Sequence, residues 1–164
     1  MKTLLILRHA KSSWSHPGLA DHDRPLNKRG KRDAPRIGEL LRSEDLLPDL
    51  IVSSSARRAR ATTEIIAERS GYEGEIRLER DLYAAGPEAF IDVLGGLPDE
   101  IKSVMLVAHN PGLEEWLEAL TGEYQPLPTA SLAQVRLSIE GWKELNEETE
   151  GELVNLWRPK ELAD

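Results

Sequence analysis

Short apolar runs alternate along the chain with longer amphipathic segments. Four runs are typical of strands in a buried sheet: residues 3–7, 50–53, 75–78 and 104–109. Four segments have apolar positions at helical spacing: residues 31–43, 56–69, 87–94 and 113–120. Two further strand-like stretches follow, residues 131–138 and 151–157. This order predicts one α/β domain over residues 1–164, a three-layer α/β/α sandwich whose mostly parallel sheet has an antiparallel edge.

Capping residues and prolines refine where the helices begin. Asn27 is the predicted N-cap of the first helix, and Pro35 inside that segment predicts that the helix begins late or bends there. Before the fourth helix, Asn110 is the predicted N-cap and Pro111 the first helical residue. Trp116 is expected in the core of that helix.

Two of the predicted strands end in histidine. The first ends in Arg8-His9 and the fourth in His109. Parallel strands end at the same edge of a sheet, where α/β proteins bind ligands, so both imidazoles are expected there. Residues 11–27 form a long polar loop over that edge, which places Arg24 near the site and lets Trp14 line it.

Composition narrows the class of protein. A net charge of −8 opposes general nucleic-acid binding, and no apolar run reaches the length of a membrane span. The absence of cysteine excludes disulfides and thiol catalysis. No signal-peptide pattern follows Met1. We therefore expect a cytoplasmic protein, monomeric because no amphipathic stretch is left over once the core is assigned.

Arginines are concentrated locally on this acidic chain. Arg57 and Arg58 lie in the first turn of a predicted helix, where the helix dipole disfavours cations and favours an anion. Such a local conflict often marks a functional site. With Arg8 and Arg24 at the same sheet edge, the sequence predicts a site for a small anionic group. Ser12 and Ser13 lie nearby.

The predicted cluster fits phosphoryl transfer. A ring of cations is unsuited to a metal, and HExxH, P-loop and GxSxG motifs are absent. Arginine forks match phosphate oxygens, and a neutral imidazole can carry a phosphoryl group covalently. We predict His9 as nucleophile, Arg8, Arg58 and Arg24 as the phosphate clamp, and His109 as a further donor when protonated. No cofactor is expected.

Several motifs resemble the histidine phosphatase (phosphoglycerate mutase-like) superfamily. These segments are LILRHAKSSW, in which Ala10 replaces the usual glycine, SSARRARAT, in which Arg58 matches the clamp arginine, and VAHNPG around His109. The segment DRPLNKRG, with Arg24, is similar to the SixA-type branch of small phosphohistidine phosphatases. The resemblance implies a phosphoglycerate mutase-like fold and a metal-free, two-step phosphatase that passes through a phosphohistidine.

The substrate and the general acid stay open at this point. Larger members of the superfamily place a carboxylate where this chain has Asp81 and Glu79, and either is also compatible with a solvated loop. Phosphohistidine on a protein needs such an acid less than an alkyl phosphate does, because its leaving imidazole is far less basic than an alkoxide. The alternatives are a phosphatase of small phosphate esters and a catalytically silent phosphate- or phosphopeptide-binding module.

Overall fold

One mixed sheet forms the centre of the molecule. The computed structural model describes residues 1–162, so the last two residues of the predicted domain lie outside the described residues. In this part of the chain, six strands pair in the order β3-β2-β4-β1-β5-β6. Their bounds are β1 Lys2–Arg8, β2 Leu50–Ser54, β3 Ile76–Glu79, β4 Ser103–Ala108, β5 Leu132–Leu137 and β6 Gly151–Trp157.

The direction of the strands confirms the predicted sheet. The first four strands, β1 to β4, pair in parallel with one another, while β5 pairs antiparallel with both β1 and β6. The late hairpin therefore forms the antiparallel edge. Strand β1 is central, with β4 on one side and β5 on the other.

Helices cover both faces of the sheet, as predicted. They are α1 Lys28–Ser43, α2 Arg57–Ser70, α3 Pro87–Gly95 and α4 Gly112–Thr121. Within residues 1–162 no helix combines the length and the apolar character needed to cross a membrane.

Alternation along β1 explains the three layers. Leu4 and Ile6 join the apolar cluster under α3 and α4, whereas Leu5 and Leu7 join the cluster under α1 and α2. These four side chains are at most 1 % exposed. Fully burying a leucine or isoleucine contributes about 1.5–3 kcal/mol, so both faces of this strand hold the layers together. Trp116 lies in the core, as predicted.

The first helix begins directly after its predicted N-cap, Asn27. The prediction that Pro35 makes this helix begin late is wrong. The Oδ1 atom of Asn27 accepts a hydrogen bond from the backbone N–H of Gly30 at 2.9 Å. The helix runs without interruption from Lys28 through Pro35 to Ser43. Proline forfeits one backbone hydrogen bond, which costs about 3 kcal/mol. Burial of the apolar stripe of α1 against α2 and the sheet outweighs that cost.

The predicted start of the fourth helix is also wrong. The N-cap is Pro111 and the first helical residue is Gly112. The side chain of Asn110 donates from Nδ2 to the carbonyl oxygen of Leu127 at 2.9 Å instead of capping the helix. A Cβ on Gly112 would lie 2.1 Å from the carbonyl oxygen of Ala85, so only glycine permits this approach.

Gly30 permits a second close approach, between α1 and the loop that follows β1. A Cβ at this position would lie 2.2 Å from the carbonyl oxygen of Lys11. That oxygen also accepts a hydrogen bond from the backbone N–H of Asn27 at 3.0 Å. The two ends of the loop over residues 11–27 are thus fastened together beside the helix start.

We expect Gly30→Ala to destabilise the protein. Alanine favours a helix by about 1 kcal/mol, but the backbone clash with Lys11 forces a shift that costs about 1–3 kcal/mol or more. Urea unfolding of the variant checks the net sign. Gly18→Ala is the control, because a Cβ there meets no atom within 4 Å. Equal stability of the two variants would contradict this account.

Candidate active site

The register between β1 and β4 brings the two histidines together. Arg8 pairs with Ala108 at the ends of these parallel strands, and His9 and His109 follow directly. The backbone N–H of His9 donates to the carbonyl oxygen of Ala108 at 3.2 Å. The centroids of the two imidazole rings lie 5.0 Å apart. The prediction that both histidines lie at one sheet edge is confirmed.

A cavity of about 270 Å³ lies at this edge of the sheet. All five residues that the sequence predicted for the site line it: Arg8, His9, Arg24, Arg58 and His109. The other lining residues are Lys11, Ser12, Trp14, Asp21, Asn110 and Thr129. Most of the lining is polar, with guanidinium groups contributed by β1, the loop over residues 11–27 and α2. Such a cavity favours an anionic ligand.

The backbone sets the tautomer of His9. Its Nδ1 lies 2.7 Å from the carbonyl oxygen of Ala10. A carbonyl oxygen only accepts, so Nδ1 carries the proton and Nε2 keeps its lone pair. Burial, together with the smaller effects of the nearby His109, Arg58 and Arg8, lowers the pKa of His9 from 6.5 to about 3. His9 is therefore a neutral imidazole with a free lone pair on Nε2.

Ala10 and Thr62 connect the end of β1 to α2. The backbone N–H of Ala10 donates to Oγ1 of Thr62 at 3.0 Å, and this hydroxyl donates to the carbonyl oxygen of Arg58 at 2.7 Å. The positive-φ residues with a side chain in the described part of the chain do not include Ala10. A Cβ is therefore tolerated where the resembling motif has glycine.

His109 can donate a hydrogen bond while neutral. Its Nε2 lies 2.8 Å from the hydroxyl oxygen of Ser54, which in turn accepts from the backbone N–H of Ala56 at 3.2 Å. The Ser54 hydroxyl has one proton and two acceptor lone pairs, so this contact fits either tautomer of His109; where Ser54 donates to Nε2, the ring proton lies on Nδ1. Burial and the charge of Arg58 lower the pKa of His109 to about 4. The predicted donor role thus does not require the protonated form.

Arg8 is held by the loop that follows α4. Its Nη1 donates to the carbonyl oxygen of Leu127 at 3.0 Å, the same oxygen that Asn110 contacts. Burial lowers the pKa of Arg8. The backbone N–H of Ala130 also contacts the carbonyl oxygens of Arg8 and His9, each at 3.0 Å. The Pro-rich loop between α4 and β5 therefore fixes the end of β1.

Three hydrogen-bonding atoms of the site stand out among residues 1–162. Besides Asn110 Oδ1, which also belongs to a lining residue, these are Arg8 Nε, Arg58 Nε and His109 Nδ1, all buried and without a hydrogen-bond partner. The two guanidinium atoms are obligatory donors, His109 Nδ1 is a donor in the tautomer in which Ser54 donates to Nε2, and Asn110 Oδ1 is an acceptor. Buried polar groups usually have partners, so the residues that line this cavity retain unmet hydrogen-bonding capacity, mostly on donor atoms.

Asp21 is a residue of the site that the sequence analysis missed. Its Oδ1 accepts from Nε of Arg24 and its Oδ2 from Nη2 of Arg58, each at 3.0 Å. The hydroxyl of Tyr83 donates to Oδ2 at 2.6 Å. This hydrogen bond, followed by those from the two arginines, holds the pKa of Asp21 far below its usual range. The spacing of Asp21 three residues before Arg24 was the available sequence signal.

Arg24 is fixed on several sides. Besides Asp21, its Nη1 contacts the hydroxyl of Ser12 at 2.7 Å and the carbonyl oxygen of Ser13 at 3.2 Å. Its guanidinium stacks on the indole of Trp14 at 3.5 Å from the ring centroid. Trp14 is 74 % exposed, so it forms an open rim of the cavity, as the sequence suggested.

The two carboxylates considered as general acids lie elsewhere. Glu79 ends β3, and Asp81 lies in a short 3-10 helix over Arg80–Leu82. Neither lines the cavity. The loop after this helix instead contributes Tyr83, whose ring centroid lies 5.7 Å from that of His109. Within residues 1–162, no three His, Asp or Glu side chains are grouped so that they could hold a metal ion.

Solved structures share this fold along nearly the whole chain. A candidate phosphohistidine phosphatase SixA from Agrobacterium tumefaciens is 32 % identical, with a TM-score of 0.83 over 96 % of this chain and 98 % of that one. The protein histidine phosphatase SixA complexed with tungstate matches with a TM-score of 0.80 at 21 % identity, over 96 % of this chain and 97 % of that one. The second match shows the fold alone.

Sequence comparisons identify the family. An uncharacterised chloroplastic protein of Arabidopsis thaliana is 34 % identical over 153 residues, which cover 87 % of this chain and 70 % of the relative. The model of the histidine phosphatase superfamily (branch 1) matches residues 4–85, half of the chain's 164 residues. With the fold and the paired histidines at its sheet edge, this chain belongs to the histidine phosphatase superfamily.

Proposed function

We propose that the protein is a phosphohistidine phosphatase that acts on a phosphorylated protein through a covalent intermediate on His9. One observation carries the proposal. The Nδ1 proton of His9 is held by the carbonyl oxygen of Ala10, which leaves Nε2 as a neutral nucleophile. Arg8, Arg58 and His109 line the same cavity as His9, and each has a buried nitrogen without a hydrogen-bond partner.

In the first step, the lone pair on Nε2 of His9 attacks the phosphorus atom of the substrate. The new N–P bond forms as the N–P bond to the substrate's imidazole breaks, and that imidazole leaves with a proton. Arg8, Arg58 and His109 donate to the phosphoryl oxygens, which carry the charge of the transition state. Arg24 adds a further positive charge beside them.

In the second step, water attacks the phosphorus atom of the intermediate. The P–O bond forms as the N–P bond to His9 breaks; the released inorganic phosphate keeps the protons of the water, and His9 returns to a neutral imidazole with its proton on Nδ1. The hydrogen bond from Nδ1 to the carbonyl oxygen of Ala10 holds the ring in place throughout both steps. The same donors stabilise both transition states, because the phosphoryl oxygens are common to them.

The need of the leaving group for a proton favours a phosphoramidate substrate over a phosphate ester. An alkoxide needs a proton donor as it departs, whereas an imidazole can leave already protonated. The carboxylate that lines the cavity, Asp21, is held ionised by Tyr83 and two arginines and so lacks a proton to give. The SixA structure from Agrobacterium tumefaciens carries a name consistent with this substrate class.

We expect the wild-type protein to hydrolyse phosphohistidine on a protein faster than an aryl phosphate. His9→Ala should lose at least about 10³-fold in kcat/KM, because the nucleophile is gone. His16→Ala is the control, since His16 is an exposed histidine of the neighbouring loop. Single-turnover release of phosphate, assayed with EDTA present, checks this.

Each other outcome of this assay has a definite meaning. Hydrolysis of the aryl phosphate alone would favour a phosphatase of small esters. Binding of phosphate without turnover of either substrate would favour a binding module. Loss of activity on chelation would contradict a metal-free mechanism.

We expect His9 to remain neutral well below neutral pH. Burial lowers its folded pKa to about 3 from 6.5, so the unfolded chain takes up the proton first as pH falls. The stability that His9 contributes is therefore complete above about pH 6.5 and falls as the pH decreases towards 3. NMR titration of the ring, assigned with His9→Ala, checks this. A midpoint near 6.5 would contradict the buried, neutral nucleophile.

A further inference from the structure

Asp21 binds two of the guanidinium groups that, in the proposed function, bind the phosphoryl group. Its two carboxylate oxygens contact Arg24 Nε and Arg58 Nη2. Its carbonyl oxygen also accepts from Arg58 Nη1 at 2.8 Å. Both terminal nitrogens of Arg58 thus donate to this one residue. A negatively charged ligand in the cavity has to share these donors with Asp21 or displace it.

The charges make this competition direct. A phosphoryl group brings negative charge into a cavity that Asp21 also lines. The negative charges of the phosphoryl group and of Asp21 repel each other inside one cavity. Stronger binding of either one to the arginines therefore weakens the binding of the other. The side chain of Asp21 is 46 % exposed, whereas that of Arg58 is 7 % exposed. The carboxylate can therefore turn towards solvent while the guanidinium stays in place.

The arginines keep other contacts when the carboxylate turns away. Arg24 retains its hydrogen bonds to Ser12 and Ser13 and its stacking on Trp14. The side chain of Arg58 is 7 % exposed and the central carbon of its guanidinium lies 5.9 Å from the ring centroid of Tyr83, so its surroundings limit its movement. The phosphate clamp therefore does not depend on Asp21 alone for its shape.

We propose that Asp21 is an internal competitor of phosphate for the arginine clamp. It pairs with Arg24 and Arg58 in the free site, yields them to the phosphoryl group of the substrate and reclaims them as inorganic phosphate leaves. Asp21 is thus a positioning residue that acts through the two arginines and limits how tightly the product is held. The inference rests on the proposed function, because it takes the cavity as a phosphate site.

The direction in which phosphate affinity changes on removal of the Asp21 charge separates two roles of this residue: competition with phosphate, and simple positioning of the arginines. If Asp21 competes, removing its charge tightens the binding of phosphate. If Asp21 only holds the arginines in position, removing it leaves them mobile and weakens that binding. The isosteric change Asp21→Asn removes the charge with little change of volume. Asp23→Asn is the matched control, since Asp23 is an exposed residue of the short 3-10 helix Asp21–Asp23 that also contains Asp21, and the change removes the same charge.

The experiment measures inhibition by inorganic phosphate and by tungstate for wild type and both variants. We expect Asp21→Asn to lower the inhibition constant of phosphate about 10-fold, because a neighbouring like charge has been removed. Asp23→Asn should leave it unchanged. We also expect the steady-state rate of Asp21→Asn to fall relative to its single-turnover rate, since the product leaves more slowly. A merely structural role would not produce tighter binding.

A second variant provides a check if Asp21→Asn folds poorly. Tyr83→Phe removes only the hydroxyl that donates to Asp21. The carboxylate is then held less firmly, and phosphate should again bind more tightly, by a smaller factor. Unchanged or weaker phosphate binding in the folded variants would overturn the inference and leave the proposed function intact. A wild-type protein that neither turns over phosphohistidine nor binds phosphate or tungstate would overturn both.

Discussion

The parallel pairing of β1 with β4 is the constraint on which the candidate site depends. It places Arg8 opposite Ala108, so the next residue of each strand is a histidine at the same edge of the sheet. Both strands are buried on both faces, and a slip of one residue would turn their apolar side chains towards the wrong layer. The packing of the core therefore fixes the separation of His9 and His109.

Burial and positive charge act together on the imidazoles of this site. Burial keeps His9 and His109 neutral, with pKa values of about 3 and 4. In the mechanism that we propose, neutral His9 retains the lone pair that attacks phosphorus, while the guanidinium groups supply the positive charge that the phosphoryl oxygens need. The chain as a whole carries a net charge of −8, so the cationic character of the cavity is a local property. Such a site suits a small phosphoryl group better than a long polyanion.

The sequence predicted the parts of the site that periodic structure positions. The histidines at the ends of buried strands follow from continuous apolar runs, and Arg58 in the first turn of α2 follows from apolar positions at helical spacing. Asp21 lies in a short 3-10 helix, and Tyr83 and the carbonyl oxygen of Leu127 belong to loops. In none of these segments does a periodic pattern indicate which atoms converge. The start of α4 was missed for the same reason, since Asn110 contacts a loop distant in sequence.

The most direct test of the account is the location of the phosphoryl group during turnover. The wild-type protein would be mixed with a phosphohistidine protein, quenched within milliseconds in alkali, digested and mapped by mass spectrometry. The account predicts one transient phosphoryl group, bonded to Nε2 of His9, that disappears as phosphate is released. The account would be contradicted if the substrate were dephosphorylated while no histidine of this protein became phosphorylated, or if the phosphoryl group were found on His109.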